Sequence, residues 1–225
     1  MTQPSGSQRV SDYLVELYGG DPFAHVREAS DSHREAHGPE CGVYPSGPIK
    51  MRFLATVTRA ANGRRILEIG CGLGYSALWL AEAAGLEGRV ETIDRFPEHA
   101  RLAEDYASAA QLASRITVIV GEGSDVLQTL TGPYDLIHDD GWFAEEPPYF
   151  ERMVNLLRAG GLLLMSNWFL LEDAITGEAQ MDWSQFAGPH WAEHIQDYAH
   201  TLTSRPDLHV SFVQNPWVAL AMKLA

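Results

Sequence analysis

The chain has 225 residues, enough to bury the core of one domain. Apolar residues make up 45% of it, which excludes a disordered chain. Its formal charge of −14, with no cluster of Lys or Arg to offset it, argues against a nucleic-acid phosphate backbone as partner.

Residues 1–8 are rich in Ser, Gly, Pro and Gln and read as a loose start. No positive region followed by an apolar core is found there, which predicts no secretory signal. No apolar run approaches the roughly 20 residues of a membrane span, so no membrane partner is expected. The two cysteines, Cys41 and Cys71, read as unpaired thiols and predict a cytoplasmic protein.

From Val10 to Tyr18 the apolar residues Val10, Tyr13, Leu14, Leu17 and Tyr18 recur at helical spacing, and Gly19-Gly20 ends that helix. Asp21-Pro22 starts a second helix, running to about Ala36, with Phe23, Val26 and Ala29 on one side. Both helices precede the sheet pattern. Residues 1–44 are therefore expected to form a helical lid on a single domain whose core is 45–225, and residues 10–37 to contribute to a homodimer. His25, His33 and His37 read either as solvated histidines or as a metal pair on one helix face. Residues 38–48 carry Gly38, Pro39, Gly42, Pro45, Gly47 and Pro48 and form a loop. An amphipathic helix follows from Ile49 to Ala61, closed by Asn62-Gly63.

From Arg65 onward strand and helix alternate. Strands read at 65–70, 89–94, 116–121, 134–138 and 162–166, and helices at about 75–85, 97–112, 123–130 and 146–158. Gly160-Gly161 separates the last helix from the apolar run Leu162 to Met165. Leu208 to Gln214 and Trp217 to Lys223, joined by Asn215-Pro216, read as an antiparallel hairpin at the sheet edge. The fold class is α/β: a Rossmann-like three-layer sandwich on a seven-stranded, mostly parallel sheet. Segment 170–190 has no clear period and follows a strand end, so it can overhang a site there.

Two stretches carry chemistry. The first is Leu67-Glu68-Ile69-Gly70-Cys71-Gly72-Leu73-Gly74-Tyr75-Ser76. A strand that ends in glycines and turns at once into a helix lets backbone approach a ligand and presents free N–H groups to it. Asp94 closes the next strand, 18 residues past Ser76, where a carboxylate can grip ribose hydroxyls. A dinucleotide fingerprint would want a glycine at position 75, which is Tyr75, and Glu68 is a poor neighbour for a pyrophosphate. That carboxylate suits a ligand with positive groups, such as the sulfonium and ammonium of S-adenosylmethionine. The second stretch is Tyr134-Asp135-Leu136-Ile137-His138-Asp139-Asp140-Gly141-Trp142-Phe143, a strand that ends in two carboxylates beside the glycine turn.

The segment from Leu67 to Ser76 resembles the first motif of class I S-adenosylmethionine-dependent methyltransferases. Its Gly74-Tyr75-Ser76 ending resembles the catechol O-methyltransferase-like group of small-molecule O-methyltransferases, and the resemblance extends over residues 45–168. It implies that S-adenosylmethionine is held by Ser46, Glu68, Gly70, Cys71, Gly72, Ser76, Asp94, Glu122, Asp140 and Trp142, with Glu122 by the adenine. In that group an Asp at the fourth strand's end binds a divalent cation, and an Asp-Asn pair after the fifth strand completes the protein ligands. Asp140 and Asn167 match two of these positions, Ser166 stands where the group has a carboxylate, and the group's substrate-side lysine falls on Phe143.

Asp140 and Asn167 are thus the expected residues at the acceptor and the only metal ligands implied, so cation binding is expected to be weak or absent. Asp140 would then take the acceptor's hydroxyl proton or orient it. Other candidate bases are His138, His190 and His194, and Trp142, Trp168, Trp183 and Trp191 could wall an aromatic acceptor. The function implied is methyl transfer from S-adenosylmethionine to a hydroxyl of a phenolic or natural-product acceptor. Two alternatives stay open. One is a nicotinamide-dependent oxidoreductase, disfavoured by Tyr75 and Glu68. The other is a cofactor-binding protein without turnover, kept in view by Ser166 and Phe143.

Overall fold

Ile66 and Leu67 are sequence neighbours, both fully buried, and they pack into two different cores on opposite faces of one sheet. The computed structural model describes residues 6–141, 147–179, 181–184 and 188–225. Helices α1 (Gly6–Leu17), α2 (Ala24–His37) and α3 (Pro48–Ala60) precede β1 (Arg65–Ile69). Then come α4 (Tyr75–Ala84), β2 (Arg89–Asp94), α5 (Pro97–Ala109), β3 (Ile116–Val120), α6 (Gly123–Thr129) and β4 (Tyr134–Asp139). The chain continues through α7 (Pro147–Leu156), β5 (Leu157–Met165), α8 (Phe169–Thr176), α9 (Trp191–Ser204), β6 (Leu208–Gln214) and β7 (Trp217–Lys223).

The seven strands lie in the order β3-β2-β1-β4-β5-β7-β6. β1 to β5 run parallel, and β7 inserts antiparallel between β5 and β6. The winding reverses between β1 and β4. At such a switch point the loops leaving the strands' C-terminal ends part and open a crevice. Ile66, Val90, Leu136 and Leu164 face the helices that carry Met51, Leu54, Leu78 and Leu80. Leu67, Ile93, Ile137 and Leu163 face those that carry Leu127, Met153, Val154, Leu170 and Ile195.

The tyrosine at position 75 has a structural reason. Its hydroxyl donates to Asp21 Oδ2 at 2.7 Å, and Asp21 Oδ1 accepts the Phe23 N–H at 3.0 Å. Burial and the Asp21 carboxylate push the Tyr75 hydroxyl up, so it stays a donor. The first residue of α4 thereby ties down the segment ahead of α2, and Phe23 packs edge-on against Trp79 with ring centroids 5.8 Å apart.

Three places differ from the pattern read along the sequence. β5 starts at Leu157, and Gly160-Gly161 lies inside it as an irregularity between the Tyr134 and Leu136 pairings. A Cβ on Gly161 would sit 2.9 Å from the Arg158 carbonyl oxygen, so the strand needs glycine there to continue. Segment 170–190 begins within helix α8, and none of its described residues lines the cavity at the switch point. α9 follows, with Ile195 and Leu202 buried and Trp191 and Tyr198 half-buried. Their 4-3-4 spacing is helical, but polar residues between them mask it.

Asp135 clips the start of β1 to β5. Burial pushes its carboxyl up, but hydrogen bonds from Arg158 Nε (2.7 Å) and the N–H groups of Arg65 (2.8 Å) and Arg64 (2.9 Å) outweigh this. The group is held below the ordinary carboxylate range. With the folded-state value lowered, its stabilisation is present above the unfolded value of about 4 and is lost as pH falls through the folded value. Asp135→Asn is therefore expected to be less stable than the parent near neutral pH by about 1 kcal/mol, with the gap closing in acid. Urea midpoints at neutral and acid pH check this, and a gap independent of pH would contradict it.

Candidate functional site

The C-terminal ends of β1, β2 and β4 surround a cavity of about 450 Å³, a size typical of small-molecule sites. The glycine turn forms its floor. The N–H groups of Gly70 and Cys71 both donate to the Ile93 carbonyl at 3.0 Å, which bends the chain off β1 toward β2. Gly70 has φ +95°, and a Cβ on it would lie 3.0 Å from the Asp140 carbonyl oxygen, so glycine lets the turn approach the end of β4. At Gly72, φ +52°, a Cβ would meet no atom within 4 Å, which leaves an open cradle at the cavity wall.

Asp94 braces this turn and also faces the cavity. Its Oδ2 accepts the Gly72 N–H at 2.8 Å, and its Oδ1 accepts the Phe96 N–H at 2.9 Å with His99 Nδ1 at 3.2 Å. Ser46, Gly70, Cys71, Gly72, Ser76, Asp94, Glu122, Asp140 and Asn167 all line the cavity. Burial pushes the Cys71 thiol well up, which leaves it a neutral wall residue. Trp142 and Phe143 lie outside the described residues. Ser30, Val43 and Tyr44 bring the N-terminal segment to the same wall.

Glu68 does not line the cavity. Its side chain is fully buried on the α4 face of the sheet, below the turn. Oε2 accepts the Thr92 hydroxyl at 2.7 Å, and Oε1 lies 3.1 Å from His138 Nδ1. His138 Nε2 in turn lies 3.1 Å from the Ser166 hydroxyl. Register pairs Glu68 with Thr92 on one side and His138 on the other, and Ser166, two residues past His138's partner Leu164, extends the line of side-chain contacts on that face.

The two carboxylates that end β4 part. Asp139 is buried with its Oδ1 toward the Gly141 N–H (3.3 Å) and the Tyr149 hydroxyl (3.4 Å), and burial, with Asp140 adding, pushes it up to about 7. Asp140 faces the cavity, and its Oδ1 holds the Lys50 ammonium at 3.1 Å. Burial would raise Asp140, but the Lys50 charge, His138 and the Ser166 hydroxyl hold it below the ordinary range. Lys50 escaped the sequence reading, although one signal was present. Fourteen of the sixteen basic residues are arginine, so a lysine in the loop-to-helix segment stands apart.

The other candidates lie elsewhere. His190 and His194 are exposed on the N-terminal part of α9, where His190 Nδ1 meets Glu193 at 2.9 Å. Trp168 is buried between Tyr198 and Phe212, and Trp183 donates to Asp173 at 2.7 Å. Neither these two tryptophans nor Trp191 lines the cavity. His33 and His37 stack with centroids 4.1 Å apart, and the His37 Nδ1 lies 2.9 Å from the His33 carbonyl.

The donor set around Asp140 and Asn167 does not fit a divalent cation. Asp140 is paired with Lys50, the Ser166 hydroxyl is shared between His138 and Asp140, and the Asn167 amide donates to the Gly141 carbonyl at 3.3 Å. Among the described residues, no three His, Cys, Asp or Glu side chains gather as a metal-binding group. One carboxylate already facing an ammonium is a poor counterpart for a hard dication, whose attraction is mostly charge.

Comparison with known proteins agrees with this geometry. Residues 42–213 match the family described as O-methyltransferase. The chain is similar to a catechol O-methyltransferase of Mycobacterium tuberculosis, 38% identical over 153 residues that span 67% of each protein. It is 32% identical over 167 residues to a catechol O-methyltransferase of Niastella koreensis, spanning 71% of this chain and 72% of that one. Among solved structures it resembles the O-methyltransferase TomG of Streptomyces achromogenes, involved in tomaymycin synthesis and solved in complex with SAM. That pair has a TM-score of 0.77 and 26% identity, over 99% of this chain and 100% of the other.

Proposed function

The chain belongs to the O-methyltransferase family, and from that premise we propose that it transfers the methyl group of S-adenosylmethionine to a hydroxyl of a small phenolic or natural-product acceptor. The observation that carries this reading is the glycine turn, braced by Asp94 over the cavity at the switch point. S-adenosylmethionine supplies a methyl group on a sulfonium, which an aligned oxygen takes by in-line displacement. Gly70, Cys71, Gly72 and Ser76, which line the cavity, would offer backbone and small side chains to the cofactor, Asp94 would hold its ribose, and Glu122 would meet its adenine. Asp140 and Asn167 stand at the acceptor side, and Ser46 with the loop ahead of α3 shapes the mouth. Titration of the protein with S-adenosylhomocysteine, and separately with NAD, followed by turnover of S-adenosylmethionine with catechol, tests the reading. Saturable NAD binding with no response to S-adenosylhomocysteine would overturn it.

Residues 1–44 act in this reading as the cap of the same domain, since Ser30 and Val43 reach the cavity wall and Asp21 ties the cap to Tyr75. Cys41 and Cys71 are both free thiols, which supports a reducing, cytoplasmic setting. No described helix is long and apolar enough to cross a membrane.

The enzyme in this reading is a homodimer through α1. Val10, Tyr13 and Leu17 recur at helical spacing and are 59%, 63% and 64% exposed, an apolar stripe that a second copy would cover. Light scattering at micromolar concentration is expected to report twice the mass of one chain. The single-chain mass across that range would contradict the dimer.

A further inference from the structure

Lys50 stands in the first turn of α3, a helix with no acidic residue there. A cation at the positive end of a helix dipole costs stability, so its placement calls for a compensating partner. That partner is Asp140, ninety residues on, at 3.1 Å, with the two side chains only 15% and 16% exposed. Among the described residues, Asp140 is the hydrogen-bond partner of the Lys50 ammonium, and Asp140, not Lys50, lines the cavity. The chain's other lysine, Lys223, is used differently: its ammonium donates to the carbonyls of Val154 and Leu157, each at 2.9 Å, and fastens the sheet. Lysine in a chain that otherwise uses arginine supplies a compact point charge with rotatable donors, where a guanidinium supplies a broad planar fork.

The surroundings match a single positive charge. Position 166 is a serine, uncharged, whose hydroxyl meets both His138 and Asp140, so Asp140 is the one carboxylate presented to the cavity at this end among the described residues. One carboxylate against one ammonium is balanced. This puts a built-in cation directly behind the carboxylate that faces the cavity.

We propose that Lys50 is the built-in cation behind the acceptor site: from beneath the cavity wall it fixes the Asp140 carboxylate and balances its charge, so that methyl transfer here needs no divalent metal. This rests on the O-methyltransferase reading above. In the transfer the Asp140 carboxylate orients the acceptor hydroxyl, the O–H bond breaks, and its proton passes to water. The oxygen forms the new C–O bond, and the electron pair of the broken S–C bond stays on sulfur. A fixed charge behind a largely water-excluded carboxylate needs no reorganisation as the reaction proceeds, which is why it can act where a mobile ion would otherwise be recruited.

The test has two readouts. In the first, Mn²⁺ alone is titrated and followed by electron paramagnetic resonance. The unmodified protein is expected to show no saturable binding at micromolar concentration. Lys50→Met combined with Ser166→Asp removes the ammonium, supplies a second carboxylate, and is expected to gain such binding. Saturable Mn²⁺ binding by the unmodified protein overturns the proposal, as does failure of the folded double variant to gain any. In the second readout, turnover of catechol is expected to survive EDTA. Lys50→Met and Lys50→Gln should each lower kcat by at least about tenfold, leave affinity for S-adenosylhomocysteine within about twofold, and be partly rescued by Lys50→Arg. Loss of turnover in EDTA restored by Mg²⁺ overturns the proposal, and so does an unchanged kcat in both variants with thermal midpoints intact. Binding of S-adenosylhomocysteine without methylation of any phenol overturns the O-methyltransferase reading itself, and the Mn²⁺ titrations still decide which cation Asp140 holds.

Discussion

Glu68→Ala is expected to lower the thermal midpoint by roughly 6–20 °C, from a loss of about 3–5 kcal/mol. Glu68 is fully buried and accepts from Thr92 on one oxygen, while the other lies against His138. Truncation leaves the Thr92 hydroxyl and the His138 Nδ1 facing an apolar void. Each buried group left without a partner costs about 1–3 kcal/mol, and the cavity adds to that. Glu68→Gln keeps the volume and one acceptor oxygen, so it should lose less than half as much. Because Glu68 lies off the cavity wall, Glu68→Gln is also expected to hold S-adenosylhomocysteine within about twofold of the parent affinity. Differential scanning calorimetry and binding titration on the same two variants separate these effects. An alanine variant that melts with the parent would remove the Thr92–Glu68–His138–Ser166 row from the stability account. A large affinity loss in a stable glutamine variant would put Glu68 in contact with the cofactor.

The second large effect falls on Asp94. Asp94→Ala is expected to weaken binding of S-adenosylhomocysteine at least tenfold, and by more than the loss of a ribose contact alone. A carboxylate accepting from a ribose diol makes hydrogen bonds worth about 1.5–3 kcal/mol each, and about 1.4 kcal/mol is one decade of affinity. Asp94 also fastens Gly72 at 2.8 Å and Phe96 at 2.9 Å, so its removal loosens the turn that forms the cavity floor. Both losses act in the same direction on binding, and the second is also a loss of stability. Calorimetric titration is expected to show the weakened binding, and a thermal melt a drop of a few degrees. Unchanged affinity would take Asp94 out of the site, whatever the melt shows.

The family carboxylates illustrate how far local pattern reaches. The glycine turn, Asp94 and the strand ending in Asp139 and Asp140 were legible because each depends on residues close in sequence. A strand's period of two and a turn's need for positive φ are written within a dozen positions. The parallel sheet followed from alternation, and the reversed strand from the terminal hairpin, since short connections force neighbours together. Boundaries were less legible where glycine had two meanings. Gly160-Gly161 looks like a break between elements, yet it is a bulge inside β5, because β4 pairs with β5 on both sides of it, at Leu157 and again from Leu162.

What the sequence by itself determined about this protein is the α/β architecture, the switch-point site and the residues that face it from β1, β2 and β4. Tertiary structure alone decided which charged groups meet. Glu68 and Asp94 both belong to acidic strand patterns, but the pleat sends Glu68 under the turn to His138 and leaves Asp94 at its rim. Lys50 reaches Asp140 only because α3 docks on the same sheet face through Met51 and Leu54. Such pairings lie ninety and seventy residues apart in the chain. They are set by how helix and sheet surfaces pack in space, and no spacing along the sequence encodes that.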